Sequence, residues 1–332
     1  MDMIRVGIIV PIYNAAKYLR EALDSICAQT YKEWACVLVD DCSTDNSRAI
    51  CEEYTQKDKR FILLSLPQNT GSADFARSKA LDMMPDVQFI SNIDADDAVE
   101  ADYIERLVAR QVQTNSDIVC PRMIGCEDGL KGESYRLPLD EFDMTQIMDG
   151  KKACRLTLAN WEIGCNGMLT KRELYEGVVR GGWLNSDEFT SRQLLFKASV
   201  VSFEDTHYLY RSNTDSTSRY FSIRMLGRTH VSKQIANFVK ENYGGELYDY
   251  IVIENFFDSV RIVYLSYKNY FRFSKEERHR ITENLKRAYE ELKENDLSRI
   301  IPKHNKLFCE RGYGWFVAAS CVWGVVKKVK FV

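Results

Sequence analysis

The sequence predicts an α/β fold, a mostly parallel sheet with helices on both faces, followed by a C-terminal helical subdomain. Three observations carry this. Over the first 125 residues, short apolar runs alternate with segments whose apolar residues recur at three- and four-residue spacing. The apolar runs are continuous and end on polar residues, as strands covered on both faces do. Past residue 222 only helical periodicity remains, so the predicted division is 1–222 for the α/β domain and 223–332 for the helical region.

The elements follow in order. "VGIIVPIY" is the first strand, "AKYLREALDSICAQT" an amphipathic helix, "WACVLVDD" the second strand and "TDNSRAICEEYTQ" the second helix. "FILLSLP", "ADFARSKALDMM", "VQFISNID", "ADYIERLVARQVQTN" and "DIVCPRM" continue the alternation. The C-terminal region reads as "MLGRTHVSKQIANFVKEN", "LYDYIVIENFFDSVRIVYLSYKNYF" and "SKEERHRITENLKRAYEELKEN", the last opening on a capping box, Ser274 with Glu277. The apolar stretch of "GYGWFVAASCVWGVVKKVKFV" is too short for a spanning helix. It is either a packed terminal helix or an element lying in a membrane interface, its tryptophans at headgroup level and Lys327, Lys328 and Lys330 near anionic lipid.

Composition bounds the function. The 332 residues are 45% apolar, enough for a sizeable core. A net charge of -3 from 45 basic and 48 acidic residues gives no global field for nucleic acid, so any anion recognition is local. Ten scattered cysteines with no C-x-x-C pair, and four histidines without zinc-type spacing, fit reduced thiols in a cytosol. The opening "MDMIRVGIIVPIYN" runs into a strand without an apolar h-region, so no secretory signal is expected and the location is cytoplasmic.

Ligands of such sheets gather beyond the carboxyl ends of the strands. Asp40 and Asp41 close the second strand and Asp94 closes the fourth, with Asp96 and Asp97 directly after it. Crowded carboxylates repel one another, and a hard divalent cation stabilises them through oxygen ligands. Magnesium takes only one or two protein carboxylates and completes its shell with water and phosphate, so Asp94 and Asp96 are candidates to hold a metal that holds a diphosphate. The alternative is that "DDAVEADYIERL" simply supplies the cap and acidic first turn of the next helix.

The stretch "GIIVPIYNAAKYLREALDSICAQTYKEWACVLVDDCSTDNS" resembles the start of the family 2 inverting glycosyltransferases with the GT-A fold, of the bacterial surface-polysaccharide type. Pro11, Tyr13, Asn14, Gln29, Thr30, Asp40, Asp41, Ser43 and Asp45 carry the match, and Cys42 stands where glycine is usual. "QNTGSADFARSKAL" is similar to the next family element through Asn69, Gly71, Ala76 and Arg77, with one extra residue and Ser78 in place of asparagine. "DADD" matches the family's D-x-D motif. "WEIGCNGMLTKREL" resembles the acceptor-side segment, and the block from "GGWLNSDEFTSRQ" to "YLYRSNTDSTSR" resembles the one in which an acidic pair precedes a helix, a strand and a Tyr-x-Tyr-Arg element. The likeness extends over residues 4–220.

The resemblance implies a metal-dependent inverting glycosyltransferase, a hexosyl- or N-acetylhexosaminyl-transferase. It would use Mg2+ or Mn2+ and a nucleotide sugar, with UDP-sugar favoured. The acceptor would be a hydroxyl of a saccharide or lipid-linked oligosaccharide in surface-polysaccharide synthesis. It implies that Asp96 binds the metal and that Asp94, Arg77, Asp41, Tyr13 and Pro11 line the donor site. One of Asp187 and Glu188 is the implied catalytic base, with Asp187 the better match in register. Net charge argues against nucleic acid as a partner, and the composition of the tail, which lies outside the likeness, leaves contact of 313–332 with the inner membrane surface as the alternative to a packed terminal helix.

Two other function classes stay open. A noncatalytic nucleotide-sugar-binding protein would share the donor residues, and the Asp187–Glu188 pair argues against it. A haloacid-dehalogenase-type phosphatase also uses Asp-x-Asp after a parallel strand, but the small residue and threonine usual after its second aspartate are missing. No G-x-G-x-x-G follows the first strand, which disfavours a dinucleotide oxidoreductase. Trp161 reads as a stacking platform or a core aromatic, Arg211 as a diphosphate contact or a structural ion pair, and His207 as a strand residue rather than a ligand.

Overall fold

The protein is described from a computed structural model, which places residues 3–127, 129–159, 161–212, 222–294 and 312–326. Contacts divide the chain into two compact units, Met1–Gly182 with Ser186–Asn213, and Trp183–Asn185 with Thr214–Val332.

The first unit is built on one sheet. Its first four strands are β1 (Val6–Ile12), β2 (Trp34–Asp40), β3 (Phe61–Ser65) and β4 (Phe89–Asn92). They lie in the order β3-β2-β1-β4, all parallel, with Ile9 opposite both Val37 and Asn92. The helices between them are α1 (Leu19–Cys27), α2 (Ser47–Lys57) and α3 (Ala73–Met83), and α4 (Tyr103–Thr114) follows β4. Strand alternation sorts the core onto two faces. Ile8, Val10 and Ile12 pack with Leu19, Leu23 and Ile26 of α1 and Tyr103, Ile104 and Leu107 of α4. Ile9, Val37 and Val39 pack with Ala76 and Ala80 of α3. Pro11 sits beyond the last β1–β4 pair, where a missing N–H costs no ladder bond.

The second half of the sheet departs from the mostly parallel expectation. It comprises β5 (Ala98–Val99), β6 (Ile118–Cys126), β7 (Glu133–Leu137), β8 (Ile147–Met148), β9 (Leu169–Lys171) and β10 (Val201–Arg211). β9 inserts antiparallel to both β4 and β6, β10 runs parallel to β6, and β5 pairs antiparallel with β10, so the sheet is mixed. Strands of two or three residues carry too little pattern for their direction to be read from sequence. The helices α5 (Gly150–Leu156) and α6 (Ser186–Lys197) complete this unit and pack on each other, and α6 also packs on α3.

The second unit is helical: α7 (Gly227–Asn242), α8 (Gly245–Lys268), α9 (Lys275–Glu294) and α10 (Tyr313–Val326). The capping box forms as read, with Ser274 N donating to Glu277 Oε2 at 2.8 Å and Glu277 N to Ser274 Oγ at 3.2 Å. α10 packs on α8 through a face that buries Phe316 and Ser320 and sets Trp323 against Phe257, leaving Trp315 and Val322 exposed. No helix among the described residues is long and apolar enough to cross a membrane. Lys327, Lys328 and Lys330 lie outside the described residues.

Candidate active site

The carboxyl ends of β2 and β4 flank the end of β1, and the predicted donor residues fall there. At the β2 end Asp41 is buried, and its carboxylate accepts from Thr70 N (2.8 Å), Thr70 Oγ1 (3.0 Å) and Asn69 Nδ2 (3.3 Å). Asn14, at φ 50°, accepts from Thr44 N at 2.8 Å and ties the end of β1 to the turn after β2. Cys42 adopts φ 60°, the left-handed conformation that glycine takes without steric cost, so the turn keeps its shape without the usual residue. Tyr13 is 39% exposed just past β1, while Pro11 is buried within it. Gln29 is structural: it is fully buried, and its amide bonds Glu100 O (2.6 Å) and Ile104 N (2.9 Å) ahead of and within α4.

At the β4 end the three aspartates take separate roles. Asp97 is buried and accepts from Tyr208 Oη (2.7 Å) and Arg211 N (2.8 Å). Burial first, then the charges of Asp94 and Asp96, push its carboxyl well above the usual range, so this member of the cluster belongs to the core. Asp94 is half-buried and fixed by Arg77 Nη2 at 2.5 Å, with Asn166 Nδ2 at 3.4 Å and its own N–H donating to Tyr208 Oη at 3.0 Å. Gly167, at φ 70°, lets this segment approach: a Cβ there would meet Tyr103 Oη at 2.2 Å. Asp96 is half-buried. Among the described residues no three His, Cys, Asp or Glu side chains converge on a common metal position. The donor set at Asp96 is a hard carboxylate at a strand end, and it fits a divalent ion whose remaining ligands come from phosphate and water.

The acidic pair sits in the first turn of α6. Asp187 Oδ2 accepts from Arg77 Nη1 at 3.2 Å, so one guanidinium joins Asp187 to Asp94, although 93 positions separate them. Glu188 turns instead to Arg192, whose Nη1 donates to Glu188 O (2.9 Å) and Oε2 (3.4 Å). Arg77 is 9% exposed. Burial opposes its charge, but Asp94, Asp187 and Asp74 outweigh that and hold its pKa above the ordinary arginine value. Position in α3 is set by Ser72, the N-cap, whose Oγ accepts from Phe75 N and donates to Gly181 O at 3.2 Å. A cavity of about 30 Å³ lies beside the pair, lined among others by Asp74, Arg77, Asn92, Arg180, Asp187 and Thr190.

The remaining sequence candidates resolve into structural partners. Arg211 is buried, donates from Nε to Asp96 O at 2.6 Å, pairs with Glu21 and lies over the Tyr18 ring at 4.5 Å, an ion pair of the fold. Trp161 carries the Arg192 guanidinium 4.3 Å over its ring. His207 lies in β10, its Nδ1 2.8 Å from Glu100 Oε1. Sequence reasoning did not single out Asp74, Asn166, Thr190 or Tyr208, which are polar residues whose partners lie 72 to 116 positions away. The one local signal was the three-residue step from Asp74 to Arg77 on one helix face.

The fold is of the GT-A class, with an Asp-x-Asp just past the end of β4. The pattern of Glycosyl transferase family 2 matches residues 7–174, and the chain belongs to that family. Over 227 residues it is 30% identical to "Glycosyltransferase GlyA" of Streptococcus pneumoniae serotype 4, a match that takes in 66% of this chain and 32% of that protein. "Glycosyltransferase GlyG" of the same organism is 28% identical over 229 residues, 64% of this chain and 73% of its own. The chain thus spans about a third of GlyA. Among solved structures, TarS 1-349 of S. aureus in complex with UDP-GlcNAc superposes with a TM-score of 0.61 at 18% identity, covering 96% of this chain and 88% of that one. A Pyrobaculum calidifontis mannosyltransferase in complex with GDP-Man and Mn2+ gives 0.53 at 14% identity, covering 98% and 88%.

Proposed function

We propose that this chain is an inverting glycosyltransferase that moves a sugar from a UDP-sugar to a saccharide hydroxyl in surface-polysaccharide synthesis. Within it, 1–222 would be the catalytic domain and 223–332 a helical accessory region. The observation that carries the reading is Arg77 joining Asp94, at the strand end where a donor diphosphate would lie, to Asp187, a half-exposed carboxylate on the facing helix. UDP as the nucleotide of the donor is supported by the UDP-GlcNAc held by TarS, the structure with the higher TM-score of the two described above.

In this reading Asp41, held rigid by Asn69 and Thr70, presents a fixed acceptor edge to the base, with Tyr13 as a flat wall and Pro11 shaping the pocket floor. Arg77 and Asp94 orient the sugar and diphosphate. Asp96 would hold a Mg2+ or Mn2+ ion, which would supply positive charge to offset the negative charge developing on the diphosphate. Asp187 takes the proton of the acceptor hydroxyl as it attacks the anomeric carbon from the face opposite the diphosphate, and that single displacement inverts the centre. Glu188 has its own cation in Arg192 and is left with a structural role. The test is sugar transfer from a panel of UDP-, GDP- and CDP-sugars to saccharide and lipid-linked acceptors. Asp187→Asn should lower kcat by about a hundredfold or more while UDP still binds, and Glu188→Gln should lower it much less. Equal losses would reject Asp187 as the base.

Contact of 313–332 with the inner face of the membrane is proposed on the exposed Trp315 and Val322 of α10 and on the lysines that follow in sequence. Sedimentation with anionic liposomes checks it, and binding unchanged by deletion from Trp315 onward would exclude this segment.

A further inference from the structure

α3 and α6 are joined by two polar rungs. Arg77 donates to Asp187 at 3.2 Å, and Thr190 Oγ1 donates to Asp74 Oδ2 at 3.0 Å. On each helix the two members are three residues apart, so each pair lies on one face, and the helices run in opposite senses along the ladder. Asp74 is 3% exposed and Thr190 6% exposed, which makes the second rung a buried one. Nothing in the donor site needs a carboxyl at that depth; a serine or an apolar residue would pack with less desolvation.

The surroundings of Asp74 supply a reason. Arg77 stands on its own helix, Asp187 and Thr190 face it from α6, and Arg180 and Tyr175 face the same cavity from the segment after β9. The buried rung ties the turn of α6 that carries Asp187 to the turn of α3 that carries Arg77, so it fixes the geometry in which the two meet. Burial pushes the Asp74 carboxyl up; Arg77 pulls it down and Asp187 raises it again, so the two acids feel one another's charge.

We propose that Asp74 is a positioning residue for Asp187: through Thr190 it fixes the start of α6 against α3, and so holds the Asp187 carboxylate at the Arg77 guanidinium. This rests on the reading of Asp187 as the base. Asp74 acts through the geometry of its neighbours.

The rung can be removed from either side in the full-length protein. Asp74→Ala removes its acceptor and Thr190→Val its donor, so kcat should fall about tenfold in each at unchanged donor KM, with recovery in Asp74→Asn, which keeps an oxygen for the hydroxyl, and in Thr190→Ser. Amide hydrogen exchange in the first turn of α6 should quicken in Asp74→Ala and Thr190→Val and return to the wild-type rate in the two conservative variants. Wild-type kcat in Thr190→Val or Asp74→Ala, or unchanged exchange in α6, overturns the proposal. Absence of any sugar transfer by the wild type would instead overturn the glycosyltransferase reading, and the exchange rates would still decide the role of Asp74.

Discussion

The ends of β2 and β4 sit on either side of β1, carry aspartates in nearly the same position, and hold them by different physics. At the β2 end Asp41 is held by neutral donors, an N–H, a hydroxyl and an amide from Asn69 and Thr70. At the β4 end Asp94 is held by a guanidinium that it shares with Asp187. Neutral hydrogen bonds fix a carboxylate in one geometry and leave its charge in place. A shared cation fixes it too, but a diphosphate can compete for that cation, so the β4 end can respond to a ligand in a way the β2 end cannot.

The largest break in this contrast is at Arg77. Arg77→Ala leaves Asp94 and Asp187 facing each other without their cation and should cost about 3 kcal/mol in stability, read by urea unfolding, together with most of the UDP affinity. A variant that unfolds like the wild type would show that the two ends are not differently held. Next is Asp41→Asn, which turns an amide N–H toward the donors of Asn69 and Thr70 and should cost about 1 to 3 kcal/mol. Because that loss is local, UDP affinity should fall while the cost of Arg77→Ala stays the same in the Asp41→Asn background. A changed cost would join the two ends that the structure separates.

A smaller effect is expected at Asp97, and its sign can be worked out. Its folded pKa is raised by burial and by Asp94 and Asp96, above the unfolded value of about 3.9. Ionising it therefore costs more in the folded than in the unfolded chain, and wild-type stability falls as pH rises from the unfolded pKa toward the folded one. Asp97→Asn removes that fall, so the stability difference, variant minus wild type, should grow with pH over that window in urea titrations. Parallel curves would place the aspartate in a solvated setting. Smallest of all is Cys42→Gly, which relieves a left-handed φ of 60° and should leave stability unchanged or raise it by up to about 1 kcal/mol.

The contrast also marks what the sequence made legible. β1 to β4 and α1 to α4 were readable because each repeats one period for long enough to be recognised, and the places of Asp41 and Asp94 just past β2 and β4 were readable because they close apolar runs. β9 and its antiparallel insertion were not readable, since three residues carry too little pattern. Arg77 stood out as a donor-side residue, yet its reach to Asp187 is a tertiary fact across 110 positions. Asp97 looked like part of the acidic cluster, and only the partners supplied by β10, Tyr208 and Arg211, take it into the core. Asp187 and Glu188 are adjacent in sequence, and only the folded helix shows that one carboxylate meets Arg77 and the other Arg192.

The decisive measurement is calorimetric titration of UDP, with GDP and CDP as comparators, into the wild type and Asp96→Asn, with and without Mn2+. UDP binding should strengthen with Mn2+ in the wild type and no longer respond to the ion in Asp96→Asn. No nucleotide binding under any metal condition would contradict the donor site proposed at the ends of β2 and β4.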